Sequence, residues 1–352
     1  AATSAFAQFS IDGNMDVAYG SVNYKGNTVT GIINNGANTS QINFRGTENL
    51  GGGLKASFRV ETDWNTVSNN GNTGTKNADG TVAAGSTFGN GEIRAGIAGG
   101  FGAIDAGAVN NAQLTAFLAG QPFGTAIGSA FRGVYVNDAA SAVNASVVRF
   151  DNSVRYTTPA MSGFSATVLQ VVKNSKATVS NFSTTFGGYD YRGVSEYSLN
   201  YNQGPINATY AVTKQDYASV GANTFTTQLK SLGANYDVGN GFKVFAFNQK
   251  RTKSDGSVNR NFTLLTGQYT MGAHVVSVGT GSGTENGSGR TNSGESKLTS
   301  LAYDYNLSKM TALYVRNESI KDDGNWAANS GVLPTATNST RQRTAVGLRI
   351  GF

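Results

Sequence analysis

The last twelve residues, Arg341-Gln-Arg-Thr-Ala-Val-Gly-Leu-Arg-Ile-Gly-Phe352, alternate along their length. Thr344, Val346, Leu348, Ile350 and Phe352 fall on one face of an extended chain, and Arg343, Ala345, Gly347, Arg349 and Gly351 on the other. Side chains along a strand point to opposite faces in turn, so this segment offers an apolar surface to one medium and a charged surface to the other. A strand of this kind, ending on an aromatic residue, suits a sheet with lipid on one side and water on the other.

Working back from it, sixteen alternating stretches can be read: 7–20, 38–48, 53–66, 87–98, 103–110, 149–157, 163–173, 193–202, 205–216, 226–237, 241–253, 259–270, 272–283, 296–306, 310–320 and 341–352. Their connections alternate in length. The short ones are Asn49 to Gly52, Gly99 to Gly102, Pro159 to Ser162, Gln203-Gly204, Val238 to Asn240, Met271 and Leu307 to Lys309; the long ones include 21–37, 67–86, 111–148, 174–192, 284–295 and 321–340. This order predicts an all-β fold, a 16-stranded antiparallel transmembrane β-barrel forming one domain over 1–352, with short periplasmic turns and long extracellular loops. A barrel of this size encloses a water-filled lumen. Phe44, Tyr156, Phe164, Tyr201, Tyr236, Phe242, Tyr269 and Tyr305 all stand near a short turn, as expected of an aromatic girdle at one membrane interface.

Composition agrees. The 352 residues include 46 glycines, only 4 prolines and 10% aromatics, which is not a disordered composition. No uninterrupted apolar run exceeds four residues, as in Val244 to Phe247, so no helical span is encoded. A mean hydropathy of −0.26 is compatible with a barrel, because alternation conceals its apolar face. The absence of cysteine removes disulfides and thiolate sites. The 27 basic and 21 acidic residues are scattered and make no nucleic-acid patch. Ala5-Phe6-Ala7 reads as the remnant of a cleaved export signal.

Catalytic chemistry finds little support. The lone histidine, His274, has no nucleophile motif around it. Glu61 and Asp63 imitate an acid–base pair but are ordinary same-face charges in a wet lumen. Gly279-Thr-Gly281-Ser-Gly283 lacks the helix and Lys-Ser/Thr ending of a phosphate loop. Asp322-Asp323 lacks the spacing of a calcium loop, so neither a metal nor a cofactor is expected.

Parity assigns the lumen. Leu54, Ala56, Phe58 and Val60 take the lipid face, leaving Lys55, Ser57, Arg59, Glu61 and Asp63 to water; in the same way Arg149, Asp151, Ser153 and Arg155 point inward. Arg59 and Arg155 are the leading candidates for a basic wall. Arg94, Arg316, Arg343 and Arg349 extend it, opposed by Asp12, Asp16, Glu92, Asp105 and Glu318. Rings of basic residues favour anions, but this near balance supports only a weak anion preference.

Several segments carry a resemblance to the general Gram-negative outer-membrane porin family, and especially to β-proteobacterial porins. They are Gly46-Thr-Glu48-Asn-Leu50-Gly51-Gly-Gly53-Leu54-Lys55-Ala56, Gly96-Ile97 through Phe101-Gly102, Arg149 to Pro159 with Ser162-Gly163-Phe164, Tyr305-Asn-Leu307-Ser308-Lys309, and Gly347-Leu348-Arg349 to Phe352. The resemblance implies a homotrimeric channel among outer-membrane lipid and lipopolysaccharide, passing ions and small hydrophilic solutes. It implies Phe352 as an assembly signal and 111–148 as a constriction loop folded into the lumen. That loop carries the apolar stretches Leu114 to Ala119 and Gly133 to Val136, with Arg132 and Asp138 as its charges. The chain departs from the family at Gln41, Gly91 and Ala108, where relatives often place a pore arginine, and at Ile350-Gly351. A substrate-specific channel, or more remotely a β-rich adhesin, remains open on sequence alone.

Overall fold

The computed structural model describes residues 8–24, 27–67, 88–131, 148–171, 189–219, 224–286, 294–322 and 339–352. Its strands are β1 (Gln8–Tyr24), β2 (Asn27–Asn34), β3 (Gln41–Gly51), β4 (Leu54–Asp63), β5 (Ile93–Gly99), β6 (Gly102–Asn110), β7 (Arg149–Thr157), β8 (Phe164–Val171) and β9 (Tyr189–Gln203). They continue as β10 (Ile206–Ser219), β11 (Thr224–Gly239), β12 (Phe242–Lys253), β13 (Asn259–Met271), β14 (His274–Asn286), β15 (Gly294–Asn306), β16 (Thr311–Asp322) and β17 (Ser339–Gly351). One helix, α1 (Ala112–Ala119), follows β6.

Neighbouring strands pair antiparallel throughout, and β1 closes the sheet by pairing with β17 from Asn14↔Gly351 to Tyr24↔Arg341. On its other edge β1 meets two strands: Gln8–Asn14 pair with β3, and Val17–Tyr24 with β2. β2 and β3 are therefore one interrupted course, and the barrel has sixteen courses.

That pairing corrects the reading of 21–37 as a long loop. Most of it is strand, because Thr28-Val-Thr30 and Ile32-Ile33 are β-branched and find β1 as an edge. The interruption at 35–40 is held by Asp16, whose carboxylate accepts from the backbone N–H groups of Gly36 (3.0 Å), Ala37 (2.9 Å) and Asn38 (2.8 Å). The stretch read as 87–98 also shortens to begin at Ile93. Around its start Asn90 bonds both ways with the backbone of Asp63.

Alternation separates the two surfaces. Outward stand exposed apolar residues such as Ile11, Phe58, Leu265 and Val346. Aromatics gather at the short-turn rim, where Phe164 packs on Tyr201 and Phe242 stacks on Tyr269 at 4.3 Å between ring centres. His274 belongs to this girdle, stacked on Tyr303 and tilted against Tyr305. Inward, the Gly279 and Gly281 positions lie under the rings of Phe123 and Phe262, so that glycine run makes room for packing.

Candidate pore constriction

The constriction begins with how α1 is held. Asn111 caps it by accepting from Leu114 N–H at 2.9 Å, and Gly120 ends it. The helix lies against β9 to β12. Gln113 donates to the Thr213 hydroxyl (2.8 Å) and accepts from Ser231, Asn235 donates to the Ala119 carbonyl (2.8 Å), and Glu196 accepts from Ala112 N–H and the Thr213 hydroxyl. Phe117 meets Phe247 edge-on at 5.2 Å. Gly233 permits this approach, since a β-carbon there would overlap the Ala116 carbonyl.

Beyond α1 the chain stays on the wall. Glu318 accepts from the N–H groups of Gly128 (3.0 Å) and Ala130 (3.3 Å) while paired with Arg343 (2.7 Å) and Arg341 (3.6 Å), and Ser300 donates to the Gly128 carbonyl. Ile127 N–H reaches the Gly36 carbonyl, and Thr125 meets Thr39. Residues 111–127 thus follow the inner wall from α1 to the break in the second course, and 128–131 turn back over β15 and β16, where Phe131 packs on Phe117.

A row of guanidinium groups occupies another part of the wall. Register sets Arg45 opposite Arg59 and Arg59 opposite Arg94. Like charges directly opposed on adjacent strands repel. Carboxylates intervene: Arg59 donates to Glu92 at 2.8 Å and pairs with Glu61, Arg94 and Arg155 share Asp105 at 2.6 and 2.7 Å, and Arg45 pairs with Asp12 at 2.6 Å. Arg149 lies 3.8 Å from both Glu61 and Asp63. Side-chain exposure is 14% for Arg59 and 22% for Arg94, Arg149 and Arg155, against 7% for Glu61, 5% for Glu92 and 10% for Asp105. Cationic edges face the lumen, and most of their partners lie beneath them.

The structure gathers Arg59, Arg94, Arg149, Arg155, Glu61, Asp63, Glu92 and Asp105 into one network. Lys55 is exposed near the short turn and has no ion pair among the described residues, and Arg349 stands on β17 opposite Asp16. Arg316 pairs with Asp304 at 2.9 Å on the far wall. Arg132 and Asp138 lie outside the described residues. Parity fails at Asp151. A bulge with Asn152 at φ 53° inserts a residue in β7, so Phe150 joins Ser153 on the buried face and Asp151 is exposed. Sequence reading missed Arg45, Glu196 and Arg341, although alternation beside Phe44 marks Arg45.

A closed antiparallel barrel, apolar outside and charged inside, with a helical connection against its inner wall, defines a membrane channel. The family model for Gram-negative porins matches residues 1–325, and the chain belongs to that family. It is an outer-membrane porin, in a family of channels rather than enzymes. It is 28% identical to an outer membrane porin protein of Bordetella pertussis, covering 91% of this chain and 83% of that one. Outer membrane porin protein 32 of Delftia acidovorans is also 28% identical, with coverages of 89% and 84%. Among solved structures, the anion-selective porin from Comamonas acidovorans matches with a TM-score of 0.78 and 23% identity, over 99% of this chain and all of that one. OmpF of Salmonella typhi, in complex with daunomycin, matches at 0.67 and 15%, over 98% of this chain and 97% of that one; both share the fold.

Proposed function

We propose that this porin conducts ions and small hydrophilic solutes with a weak anion preference, through a lumen narrowed between residues 111–131 and the guanidinium row on β3 to β7. One observation carries the charge preference: Arg59, Arg94 and Arg155 are more exposed to the lumen than Glu92 and Asp105, the carboxylates that hold them. Fixed positive charge along a narrow polar path raises the local anion concentration, and the buried carboxylates limit the effect. The chain acts by sieving, without covalent chemistry; His274 serves the aromatic girdle.

The chain works as a homotrimer, with its short turns on the periplasmic side and its longer connections outside. Lipopolysaccharide phosphates suit the outward lysines of the upper wall, where register sets Lys230 opposite Lys250 and Lys297 opposite Lys321. Lys250 follows Phe242 by eight residues on β12, which places it roughly 20 Å higher in the membrane at about 3.3 Å per residue and the usual strand tilt.

The test is the reversal potential and single-channel conductance in planar bilayers under a potassium chloride gradient. Wild type is expected to favour chloride and to insert with three equal conductance levels, and the Arg59→Ala, Arg155→Ala double variant to lose most of the preference. A wild-type channel indifferent to charge overturns the proposal.

A further inference from the structure

The guanidinium row faces an apolar surface. In the order of strands around the barrel, β10 and β11, which carry α1, lie nearly half a circumference from β3, β4 and β5, which carry Arg45, Arg59 and Arg94. The wall side of the helix is formed by Ala112, Gln113, Ala116, Phe117 and Ala119, all buried. At 100° per residue, Leu114, Thr115 and Leu118 fall on the opposite side of the helix, turned into the lumen. Leu118 is 44% exposed there, one helical turn from Leu114.

No residue from Asn111 to Phe131 is charged, so this segment brings no carboxylate to the arginines. Glu318 and Glu196, which hold the segment, are buried; each gives one oxygen to its backbone, and the other goes to Arg343 in Glu318 and to the Thr213 hydroxyl in Glu196. A hydrated inorganic ion gains nothing from Leu114 and Leu118. A solute with an apolar body loses unfavourable hydration against them, and binding sites combine such apolar lining with a few convergent polar groups.

We propose that the constriction favours monocarboxylates with an apolar body, whose carboxylate follows Arg59, Arg94 and Arg155 while the body passes over Leu114 and Leu118. This rests on the cationic character assigned to the row. It adds a second contact on the opposite side of the path. Each contact is single and open to water, so the solute enters readily and leaves, as conduction requires.

The experiment compares benzoate with acetate as the sole anion, in bi-ionic reversal potentials against chloride on the full-length protein. Benzoate is larger and slower in water, so simple sieving gives acetate the higher permeability ratio. The proposal expects benzoate to exceed acetate severalfold, and the Leu114→Gln, Leu118→Gln double variant to restore acetate's lead. The outward variant Thr280→Ser, on β14, is expected to keep the benzoate advantage. Acetate leading in wild type while chloride preference over potassium is intact overturns the apolar contact alone. Loss of chloride preference in wild type overturns the electrostatic reading beneath it. A benzoate advantage that survives both leucine substitutions overturns the assignment to α1.

Discussion

Glu92 concentrates the electrostatics of the row in one side chain. It accepts from Arg59 at 2.8 Å and from the Asn110 backbone N–H at 3.1 Å, and it lies 3.6 Å from Arg94 and 3.9 Å from Arg155. Glu92→Gln keeps the shape and removes the charge, leaving three guanidinium groups less compensated. The expected result is a stronger anion preference and a loss of about 1–3 kcal/mol of stability, from weakened charge-assisted hydrogen bonds. Reversal potential and denaturant unfolding in detergent would measure the two effects; an unshifted reversal potential removes Glu92 from the charge balance. The inward side of Arg59, Glu61 and Arg94 was legible because alternation is local. Their partners were not, since Arg59 meets Glu92 only through the register of β4 with β5. The reversal at Asp151 was also hidden. An Asp-Asn pair tolerates positive φ in many settings and does not announce a bulge.

Between elements, the proposed constriction makes the width of the lumen depend on how closely α1 sits on β11. Gly233→Val puts methyl groups where the Ala116 carbonyl now lies, so the helix must move into the path. Overpacking of this kind costs about 1–3 kcal/mol, and single-channel conductance should fall while charge preference stays anionic. A variant conducting like wild type would show that α1 does not set the cross-section. The far anchor behaves differently. Glu318 is fully buried between two arginines and two backbone N–H groups, and Glu318→Gln unbalances them at a cost of roughly 3–5 kcal/mol. Current traces of this variant should gain open-channel noise as 123–130 loosens; quiet traces would show that the contacts of Ser300, Ile127 and Thr125 hold the segment without Glu318. The apolar stretches of 111–148 suited packing inside protein better than solvent, but the helix itself went unread. Asn111 is a good cap, yet Ala112–Ala119 is too short and too uniformly apolar to show a periodic face, and its seat is fixed by Thr213 and Ser231, about a hundred residues away.

At the scale of the whole molecule, sixteen courses could be counted from the chain because each strand declares itself by alternation, whereas closure could not. It depends on one seam. Phe352 N–H donates to the Gly13 carbonyl at 3.1 Å, Gly13 N–H donates to the Phe352 carbonyl at 3.0 Å, and the terminal ring lies over Gly13 and within 6.5 Å of the Trp64 ring centre. A β-carbon at Gly13 would stand 2.8 Å from the Phe352 ring and overlap the Gln41 carbonyl, so the bare glycine is what lets the last residue lie across the joint between β17, β1 and β3. The resemblance implied Phe352 as an assembly signal; the seam gives it a second part, in the closed barrel itself. Refolding of purified, urea-unfolded chain into detergent micelles separates the two, because no assembly factor is present. If Phe352 also seals the barrel, Phe352→Ala and Gly13→Val should each refold to lower yield and lose about 1–3 kcal/mol against wild type, the first by removing the ring's contacts with Gly13 and Trp64 and the second by overpacking. If it acts as a signal alone, Phe352→Ala should refold in micelles as wild type does and fail only when exported in cells.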